Sequence, residues 1–551
     1  MKQLLQNLKD GRGSVEEVPA PVAQPGRVVV RAAVSLVSAG TERALAELGR
    51  KSLISKARER PDLVRKVVEK VKTEGLANAL SSVREKLGES HALGYSAAGT
   101  VTEVGEGVEG FAVGDRVACA GAGYAVHAEV LSVPQNLCAR LPDGVDFESG
   151  AFGTVGAIAL QGVRLAEPTL GESFVVVGLG LIGQLTVQLL KANGCRVFGV
   201  DTNAARVELA RRMGADDCAP LRAEGADGQT NGGASSTEEV RRAVEDWTRG
   251  RGADGVVITA ATRSSEPVRL AGEVSRLRGR VVAVGAVGMD VPRDLYFSRE
   301  LTLRVSMSYG PGRYDPEYEE RGHDYPLPYV RWTEGRNIEA FLDLVAEGRV
   351  RTAPLVTHRF PVEEGERAYQ LIAGDTGEPY LAVLLTYDTT RELARVIERR
   401  PAAQSSLKER DQIDAGARAA SSLAPSLARA PDERESSVRV GLIGAGAYAR
   451  AMLLPRFKAA GAEFRAVATA SGVTARDVGE KYDFAALASG ADAVIDDPSV
   501  NLVVVATRHD THAALARRAL ERGKHVFVEK PMALNDEELD ALLDAAARGP
   551  A

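Results

Sequence analysis

Apolar and polar positions follow two different patterns along this chain, and the change between them marks its organisation. Residues 27–35 and 97–104 are runs of β-branched and small apolar residues typical of strands, and 107–118 adds a turn and another strand. Between them, 43–88 is charged, with apolar residues at helical spacing. We predict a β-rich lobe with a helical segment at 43–88, which either covers the surface or closes over a substrate.

From residue 173 onward, short apolar strands alternate with amphipathic helices. Residues 173–183 predict a buried strand that enters a glycine turn, and 195–201 predicts the next strand after a helix. The alternation continues through 255–260 and 280–288, as in a parallel, doubly wound α/β sheet. A polar, glycine-rich stretch at 221–237 predicts a loop.

The remainder of the chain predicts a return to the first lobe, a linker and a second α/β unit. After residue 300 the pattern gives a helix and two strands. Residues 399–437 then have almost no large apolar side chains. The expected fold is therefore α/β, in four parts: a β-rich lobe at 1–155 completed by 300–390, a doubly wound domain at 156–299, a flexible linker at 391–436, and a second doubly wound domain at 437–551.

Composition adds mainly exclusions. The chain has 551 residues and a net charge of −6, without the basic excess that nucleic acid or anionic membranes attract. Its four cysteines form no C-x-x-C pair, which argues against a structural zinc site and a disulfide framework. No signal-peptide pattern and no apolar run of membrane-spanning length occur, so we expect a cytoplasmic protein.

The first glycine turn predicts a dinucleotide site. In a G-x-G-x-x-G turn the first glycine permits the turn, the second lets the backbone approach a pyrophosphate, and the third lets helix and strand pack closely. An aspartate ends the next strand, where it accepts ribose hydroxyls and repels a 2′-phosphate, so NAD is favoured. The predicted cofactor residues are Gly178, Gly180, Leu181, Ile182, Gly183 and Asp201.

With these segments, residues 1–390 resemble the medium-chain dehydrogenase/reductase family, which implies a GroES-like catalytic lobe and a Rossmann domain. The resemblance is carried by VSAGTER, LGYSAAGTVTEVGEGVEGFAVGDRVA and VVVGLGLIGQLTVQLLKANG. Zinc-dependent members have a cysteine at Ala39, a histidine and a glutamate at Tyr95 and Ser96, and a cysteine near Thr154. Since zinc needs sulfur, imidazole or carboxylate ligands, we predict no metal.

Hydride transfer without a metal still requires a group that polarises a carbonyl and exchanges a proton. Thr41, which matches the relay hydroxyl of zinc-dependent members, and Tyr95 offer hydroxyl donors, and Glu42 could relay a proton. The alternative for each is a packed, hydrogen-bonded side chain that lines a cleft.

Six of the fifteen Tyr and Trp residues lie between positions 309 and 332, interleaved with charged residues. Aromatic faces with polar groups between them suit a carbohydrate ring. A proline-stiffened loop packed on the lobe or at a subunit interface is the alternative. The predicted substrate residues are Tyr309, Tyr314, His323 and Trp332.

A second turn, G-A-G-A-Y-A, and a later E-K-P motif resemble the glucose–fructose oxidoreductase and inositol dehydrogenase family. That resemblance implies a second dinucleotide site, and it places Lys530 near nicotinamide and substrate. Ala468-Thr469-Ala470-Ser471 has no aspartate that excludes NADP, so this site is expected to take NAD or NADP. The implied cofactor residues are Gly444, Gly446, Ala447, Tyr448, Thr507, His512, Glu529 and Lys530.

The sheet domain that follows E-K-P in that family is absent from this sequence. The second half is therefore expected to be truncated, to borrow a substrate lobe from another chain, or only to bind dinucleotide. The two halves together resemble the bi-domain oxidoreductases of bacterial polysaccharide gene sets, which implies hydride transfer between nicotinamide and the carbinol or ketone of a sugar-derived or glycoconjugate substrate, and a homo-oligomer. A metal-free quinone or enoyl reductase and a non-catalytic dinucleotide-binding scaffold are the alternatives.

Overall fold

The computed structural model describes residues 1–7, 13–38, 40, 42, 90–222, 236–399 and 437–548. The helical segment predicted at 43–88 and most of the loop predicted at 221–237 lie outside these residues. So do Ala39, Thr41 and residues 400–436 of the predicted linker.

The first lobe begins as two sets of antiparallel strands. Its β-branched runs are buried on alternate or on all positions, as strands packed against a core require. The strands are β1 Lys2–Asn7, β2 Gly13–Glu17, β3 Arg27–Val37, β4 Ser90–Ala92, β5 Ser96–Val104, β6 Arg116–Ala120, β7 Val130–Pro134 and β8 Cys138–Arg140. Two helices follow, α1 Phe147–Gly150 and α2 Gly153–Ala166.

The first Rossmann domain is a six-stranded parallel sheet in the order β11-β10-β9-β12-β13-β14. All five residues of β9 are buried, because helices cover both faces of the sheet. Its strands are β9 Ser173–Val177, β10 Arg196–Asp201, β11 Asp217–Pro220, β12 Ala253–Ile258, β13 Ser275–Ala283 and β14 Thr302–Val305. Its helices are α3 Leu181–Ala192, α4 Ala204–Arg212, α5 Thr237–Trp247, α6 Glu266–Val274 and α7 Arg293–Ser298.

The chain then returns to the first lobe, as the sequence predicts. The returning elements are α8 Pro316–Glu319, α9 Glu334–Ala346, β15 Val356–Pro361, α10 Gly365–Ala373 and β16 Ala382–Thr386. β16 pairs antiparallel with β3 and completes a seven-stranded sheet in the order β15-β16-β3-β5-β6-β8, with β7 also on β3. A separate sheet has the order β2-β1-β4.

The second Rossmann domain is another six-stranded sheet, in the order β17-β20-β19-β18-β21-β22. Its strands are β17 Val396–Glu398, β18 Arg439–Ile443, β19 Glu463–Ala468, β20 Ala486–Ala488, β21 Leu502–Val505 and β22 His525–Val528. Its helices are a π-helical turn at Ala449–Leu453, α11 Leu454–Ala459, α12 Gly472–Tyr482, α13 Asp492–Ile495, α14 His512–Glu521 and α15 Asp536–Arg548.

Strand β17 departs from the sequence prediction, which places residues 391–436 in a flexible linker. Val396–Glu398 pairs antiparallel with β20. Ile397 packs against the core of the second domain. The two β-branched residues Val396 and Ile397 are therefore enough to add an edge strand from an otherwise polar stretch.

The two halves also contact each other directly. The amide and hydroxyl of Ser90 on β4 donate to the two carboxylate oxygens of Asp477 on α12, at 3.1 and 2.9 Å. Arg476 forms an ion pair with Glu16 at 2.9 Å. The first turn of α12 is pressed against the first lobe, since a Cβ on Gly472 would lie 2.5 Å from the carbonyl oxygen of Pro19.

Candidate functional site

The first glycine turn tolerates no side chain at two of its three glycines. Gly178 has φ of +97°, and a Cβ there would lie 2.5 Å from the amide nitrogen of Ala260. A Cβ on Gly183 would lie 2.0 Å from the carbonyl oxygen of Gly178. The first glycine therefore supplies a left-handed turn and the third supplies the close contact of helix and strand.

The space beside the middle glycine is open. A Cβ on Gly180 would meet nothing within 4 Å. Gly180 is also the N-cap of the twelve-residue helix α3 and offers no side-chain cap, so the first amides of the helix, those of Leu181 and Ile182, point out without an intrahelical partner. An open backbone concavity at a helix N-terminus fits a pyrophosphate.

Asp201 is held beside this turn by two backbone amides. Its Oδ2 accepts from the amide of Leu179 at 2.6 Å, and its Oδ1 accepts from the amide of Asn203 at 2.7 Å. Each oxygen keeps a further lone pair, so the fixed carboxylate can still accept ribose hydroxyls. The geometry brings the glycine turn and Asp201, predicted from distant positions in the sequence, to one sheet edge.

The second glycine turn has the same layout. Gly444 has φ of +86°, and a Cβ there would lie 2.5 Å from the carbonyl oxygen of Ala506. A Cβ on Gly446 would meet nothing within 4 Å. Ala447 and Tyr448 are exposed at the start of the helix that follows, where Tyr448 keeps 55% of its surface. These four residues therefore present an accessible surface for a dinucleotide.

His512 is buried, and its ring holds together the loops that follow β21 and β22. Nδ1 lies 2.8 Å from the carbonyl oxygen of Pro531, and Nε2 lies 3.2 Å from that of Thr507. Both ring nitrogens face backbone carbonyl oxygens, so the His512 ring connects the E-K-P loop to the loop after β21. Lys530 is exposed beside it, and Glu529 is half-buried.

Among the catalytic candidates, Glu42 is almost fully buried in a chain of side chains. Its Oε1 accepts from the amide of Ser38 at 2.9 Å, and its Oε2 lies 3.1 Å from His127 Nε2. His127 Nδ1 lies 2.7 Å from the hydroxyl of Ser35, which lies 2.6 Å from that of Tyr387. A carboxylate only accepts, so Nε2 donates to Glu42, and Nδ1 shares the second hydrogen bond of the ring with the Ser35 hydroxyl.

His127, Ser35 and Tyr387 are not among the residues predicted from the sequence. Glu42 and His127 are separated by 85 positions, and Ser35 and Tyr387 by 352, so no local spacing connects them. Burial raises the pKa of the Tyr387 hydroxyl above its ordinary value, so Tyr387 acts here as a neutral donor. The only sequence signal is a histidine beside an apolar strand, which is more often a packed core residue.

Tyr95 and Thr154 meet where the first lobe joins helix α2. The Thr154 hydroxyl donates to the carbonyl oxygen of Tyr95 at 3.2 Å, and the Tyr95 ring is half-buried against the core of the lobe. The turn before Tyr95 rests on His127, since a Cβ on Gly94 would lie 2.8 Å from His127 Nδ1. Gly94, the residue before Tyr95, therefore packs against the histidine that contacts Glu42.

The aromatic segment does not form the stacking surface that the sequence predicts. Tyr309 is 3% exposed, and Arg164 and Arg331 lie over the ring of Trp332, with Cζ at 3.3 and 3.8 Å from its centroid. His323 is exposed and pairs with Glu317. Of the three Tyr and Trp residues among the predicted substrate residues, only Tyr314 has a widely exposed ring, and Arg313 covers one face of it.

A buried carboxyl lies behind this segment at the start of α9. Glu334 is fully buried, and neither of its carboxylate oxygens has a hydrogen-bond partner among the described residues. Burial, with a smaller contribution from Glu319, raises its pKa from 4.5 to about 9. Glu334 is therefore protonated at neutral pH.

Three family models match successive parts of the chain. The alcohol dehydrogenase GroES-like domain matches residues 70–143, and the zinc-binding dehydrogenase model matches 182–321. The oxidoreductase family with an NAD-binding Rossmann fold, the Gfo/Idh/MocA family, matches 438–550. The chain joins a medium-chain dehydrogenase to a Gfo/Idh/MocA Rossmann domain.

Known dehydrogenases resemble the first half. A 2-dehydro-3-deoxy-L-galactonate 5-dehydrogenase of Pseudoalteromonas atlantica is 24% identical over 51% of this chain and 79% of the relative. A D-guloside 3-dehydrogenase of Escherichia coli is 29% identical over 48% of this chain and 68% of the relative. The crystal structure of galactitol-1-phosphate dehydrogenase from Escherichia coli, 18% identical, covers 70% of this chain and all of that chain with a TM-score of 0.51, which shows the shared fold.

These matches confirm the α/β fold and the oxidoreductase class predicted from the sequence. The protein is an NAD(P)-dependent oxidoreductase, with Rossmann domains of the kind that bind nicotinamide dinucleotides. Across the described ranges, no group of three His, Cys, Asp or Glu side chains is placed to hold a metal ion. No helix in those ranges has both the length and the apolar character to cross a bilayer.

Proposed function

We propose that the dehydrogenase half is a zinc-independent oxidoreductase that uses NAD(H) on the carbinol or ketone of a polar, sugar-derived substrate. The observation that carries the cofactor choice is the clamped carboxylate of Asp201, held by the amides of Leu179 and Asn203. A carboxylate that cannot turn away accepts the ribose hydroxyls of NAD and repels the 2′-phosphate of NADP.

The substrate class is supported by the relatives, which are named as dehydrogenases of a sugar acid and of a guloside. Zinc independence is supported by the side chains at two of the positions that hold zinc in the family. Tyr95 and Thr154 carry neutral hydroxyls, and Thr154 is occupied by its bond to the Tyr95 carbonyl. Neither offers the ligand that zinc needs.

The chain's own groups would then handle the proton. When bound, the nicotinamide supplies or accepts a hydride. Tyr95, half-buried against the lobe core, would donate to a substrate oxygen, and Thr41 would share this role. Ser38 and His127 contact both oxygens of the Glu42 carboxylate, so its role would be to orient His127 and not to contact the substrate.

The second half is proposed to bind NAD or NADP at Gly444, Gly446, Ala447 and Tyr448. The end of β19 carries no carboxylate to repel a 2′-phosphate, and Thr469 is buried with its hydroxyl on the carbonyl of Ser471. Lys530 would act near the nicotinamide, positioned through His512 and flanked by Glu529 and Thr507.

Asp201→Ser is expected to reverse the cofactor preference of the dehydrogenase half. Loss of the carboxylate removes two hydrogen-bond acceptors and the repulsion of a phosphate, so the Kd for NAD should rise about tenfold and the Kd for NADP should fall. Native mass spectrometry and calorimetry of the full chain measure both.

Wild type is expected to bind two dinucleotides and no zinc, and to oxidise polyols or sugar acids in preference to reducing quinones and enones.

The control is Asp246→Ser, the same charge change at an exposed position of α5. An unchanged NAD preference in Asp201→Ser, or the same change in both variants, would contradict the assignment. Stoichiometric zinc in wild type would overturn the metal-free proposal. If enones were turned over faster than sugar-derived substrates, the proposal of a sugar-derived substrate would be wrong and a metal-free enoyl reductase would be supported.

We also propose a homodimer through the edge of the first Rossmann sheet. β14 has no partner on its outer side among the described strands, and Val305 on it is 67% exposed. Leu277 and Phe297 beside it are 61% and 72% exposed. An unpaired edge flanked by apolar side chains suits pairing with the same strand of a second copy.

Phe297→Glu is expected to shift the full chain from dimer to monomer, because a charge would be buried at the apolar edge. Size-exclusion chromatography with light scattering measures the mass. Leu170→Glu, at a residue that is 85% exposed elsewhere on this domain, is the matched control. A wild-type monomer, or dissociation by the control alone, would rule out this interface.

A further inference from the structure

We propose that Arg164 and Arg331, one on each face of Trp332, bind a phosphate group carried by the substrate. The inference rests on the proposed function and narrows its substrate class to phosphorylated sugars or polyols. It places the phosphate at the edge of the Trp332 ring, where both guanidinium groups can donate to it.

The two guanidinium groups are held in place by stacking and by one amide. The Cζ atoms of Arg164 and Arg331 lie 3.3 and 3.8 Å from the Trp332 centroid, and two groups this close to one ring must occupy opposite faces. Arg164 Nε donates to Asn337 Oδ1 at 2.7 Å, which leaves its two terminal nitrogens available. A stacked, oriented guanidinium is well suited to phosphate.

The amide that orients Arg164 is itself built into the core. Asn337 is fully buried, and its Nδ2 donates to the carbonyl of Tyr309 at 2.9 Å and to Gln161 Oε1 at 3.2 Å. These bonds settle which end of the amide faces Arg164. The position of Arg164 is therefore prepared in advance, which reduces the ordering cost of binding.

The charges around the pair are otherwise balanced. The other arginines of the segment have acid partners, in the pairs Arg313–Glu319, Arg321–Glu317 and Arg336–Asp324. Within the described residues, Arg164 and Arg331 have no ion pair of their own. Glu339 lies in the field of Arg331, but burial raises its pKa and no bond joins them.

Arg164 bears this uncompensated charge in a half-buried place. Burial and the charge of Arg331 lower its pKa from 12.5 to about 10, so it stays cationic at neutral pH. A cation that has lost part of its hydration and faces a like charge gains more than a surface cation from an incoming anion. The site thus favours a dianion such as phosphate over a neutral hydroxyl.

Arg164 lies on helix α2, whose first turn contacts the catalytic candidate Tyr95. Thr154 at the first turn of α2 bonds the carbonyl of Tyr95, and Gln161, two turns later on the same face, bonds Asn337. At 1.5 Å per residue the two contacts are about 10 Å apart along the helix. Asn337, which bonds Gln161, also orients Arg164, so a substrate that contacts Tyr95 with its phosphate at Arg164 would have to extend along this helix.

Trp332 provides the readout. The chain has two tryptophans, so Trp247→Phe leaves Trp332 as the sole indole fluorophore. In that background we would titrate glucose 6-phosphate, inorganic phosphate and glucose at low ionic strength and pH 7.5. We expect a saturable fluorescence change with glucose 6-phosphate, a weaker one with phosphate, and none with glucose. Calorimetry on the unmodified chain checks the same Kd values.

Arg164→Gln and Arg331→Gln are each expected to raise the Kd for glucose 6-phosphate at least tenfold. Arg321→Gln, the same charge change at an exposed arginine already paired with Glu317, should leave it within twofold. If all three variants raised the Kd equally, the effect would come from the loss of overall positive charge, and the proposed phosphate site would be wrong. So would tighter binding of free phosphate than of glucose 6-phosphate, because the phosphate would then not belong to the substrate.

Dinucleotide binding is measured on the same samples. Normal NAD binding with no response to any phosphate overturns the phosphate site and leaves the proposed function standing. A phosphate response without NAD binding supports the site and contradicts the proposed function.

Discussion

Gly183→Ala is expected to weaken dinucleotide binding by the first Rossmann domain strongly, while the second domain keeps its own affinity. A Cβ at this position would lie 2.0 Å from the carbonyl oxygen of Gly178, a backbone atom that no side-chain rotation can move. Helix α3 must then shift away from β9, and the amides at its N-terminus leave the pyrophosphate position. We expect the Kd for NAD to rise about 100-fold, or about 2.8 kcal/mol.

Gly180→Ala tests whether filling the open space beside the turn weakens NAD binding without any distortion of the backbone. Gly180 has φ of −66°, and a Cβ there meets nothing, so alanine should fold without strain. It should weaken NAD binding by filling the approach to the helix, with an unchanged Tm, whereas Gly183→Ala should lower both. Native mass spectrometry counts the dinucleotides, and two bound to Gly183→Ala would refute the predicted role of this turn.

The second large effect concerns Glu334 and the dependence of stability on pH. Its pKa is raised from 4.5 to about 9 in the folded protein, so folding opposes its ionisation. Below pH 4.5 both states hold the proton and there is no penalty. Above it the unfolded chain releases the proton, and stability falls by about 1.4 kcal/mol per pH unit until the pH approaches 9.

Glu334→Gln removes this penalty while keeping the shape of the side chain. We expect it to match wild type near pH 4.5 and to be more stable by on the order of 2 kcal/mol or more at pH 8, seen as a raised Tm and a flatter pH profile. Thermal unfolding between pH 5 and 8 measures this. Glu319→Gln is the contrast, because it breaks the pair with Arg313 and should lower the Tm at both pH values.

The opposite outcome is a Tm difference, variant minus wild type, that is negative at pH 8 and smaller at pH 5. It would show that Glu334 is ionised and favourably paired. Glu334 would then belong to a charged network with Arg313 and not to the protonated, buried state.

Much of the fold and part of the site follow from local sequence. The glycine turns could be predicted because a G-x-G-x-x-G between an apolar strand and an apolar helix has few other structural uses. Asp201 could be predicted because strand and helix lengths set its separation from the turn. The same locality explains the success with β16, whose apolar run has no role except in a sheet core.

The hydrogen-bonded chain from Glu42 to Tyr387 could not be predicted in this way. It joins Ser35 on β3 and Tyr387, just after β16, to Glu42 and His127, which lie outside the strands, and its members are far apart in the sequence. The arginine stacking at Trp332 could not be predicted for the same reason. An exposed, charged segment suggests free aromatic faces, but the arginine that covers one face comes from α2, far back in the chain.

By itself, the sequence determined the two Rossmann units, the lobe that the chain leaves and rejoins, and the glycine turns, because short-range periodicity and backbone sterics decide those features within a few residues. Only the tertiary structure decided that β17 closes the second sheet, that Asp201 is clamped, that Glu334 is buried and protonated, and that two arginines meet at Trp332. Burial and electrostatic pairing depend on distances in space, and those are set by how separate elements pack.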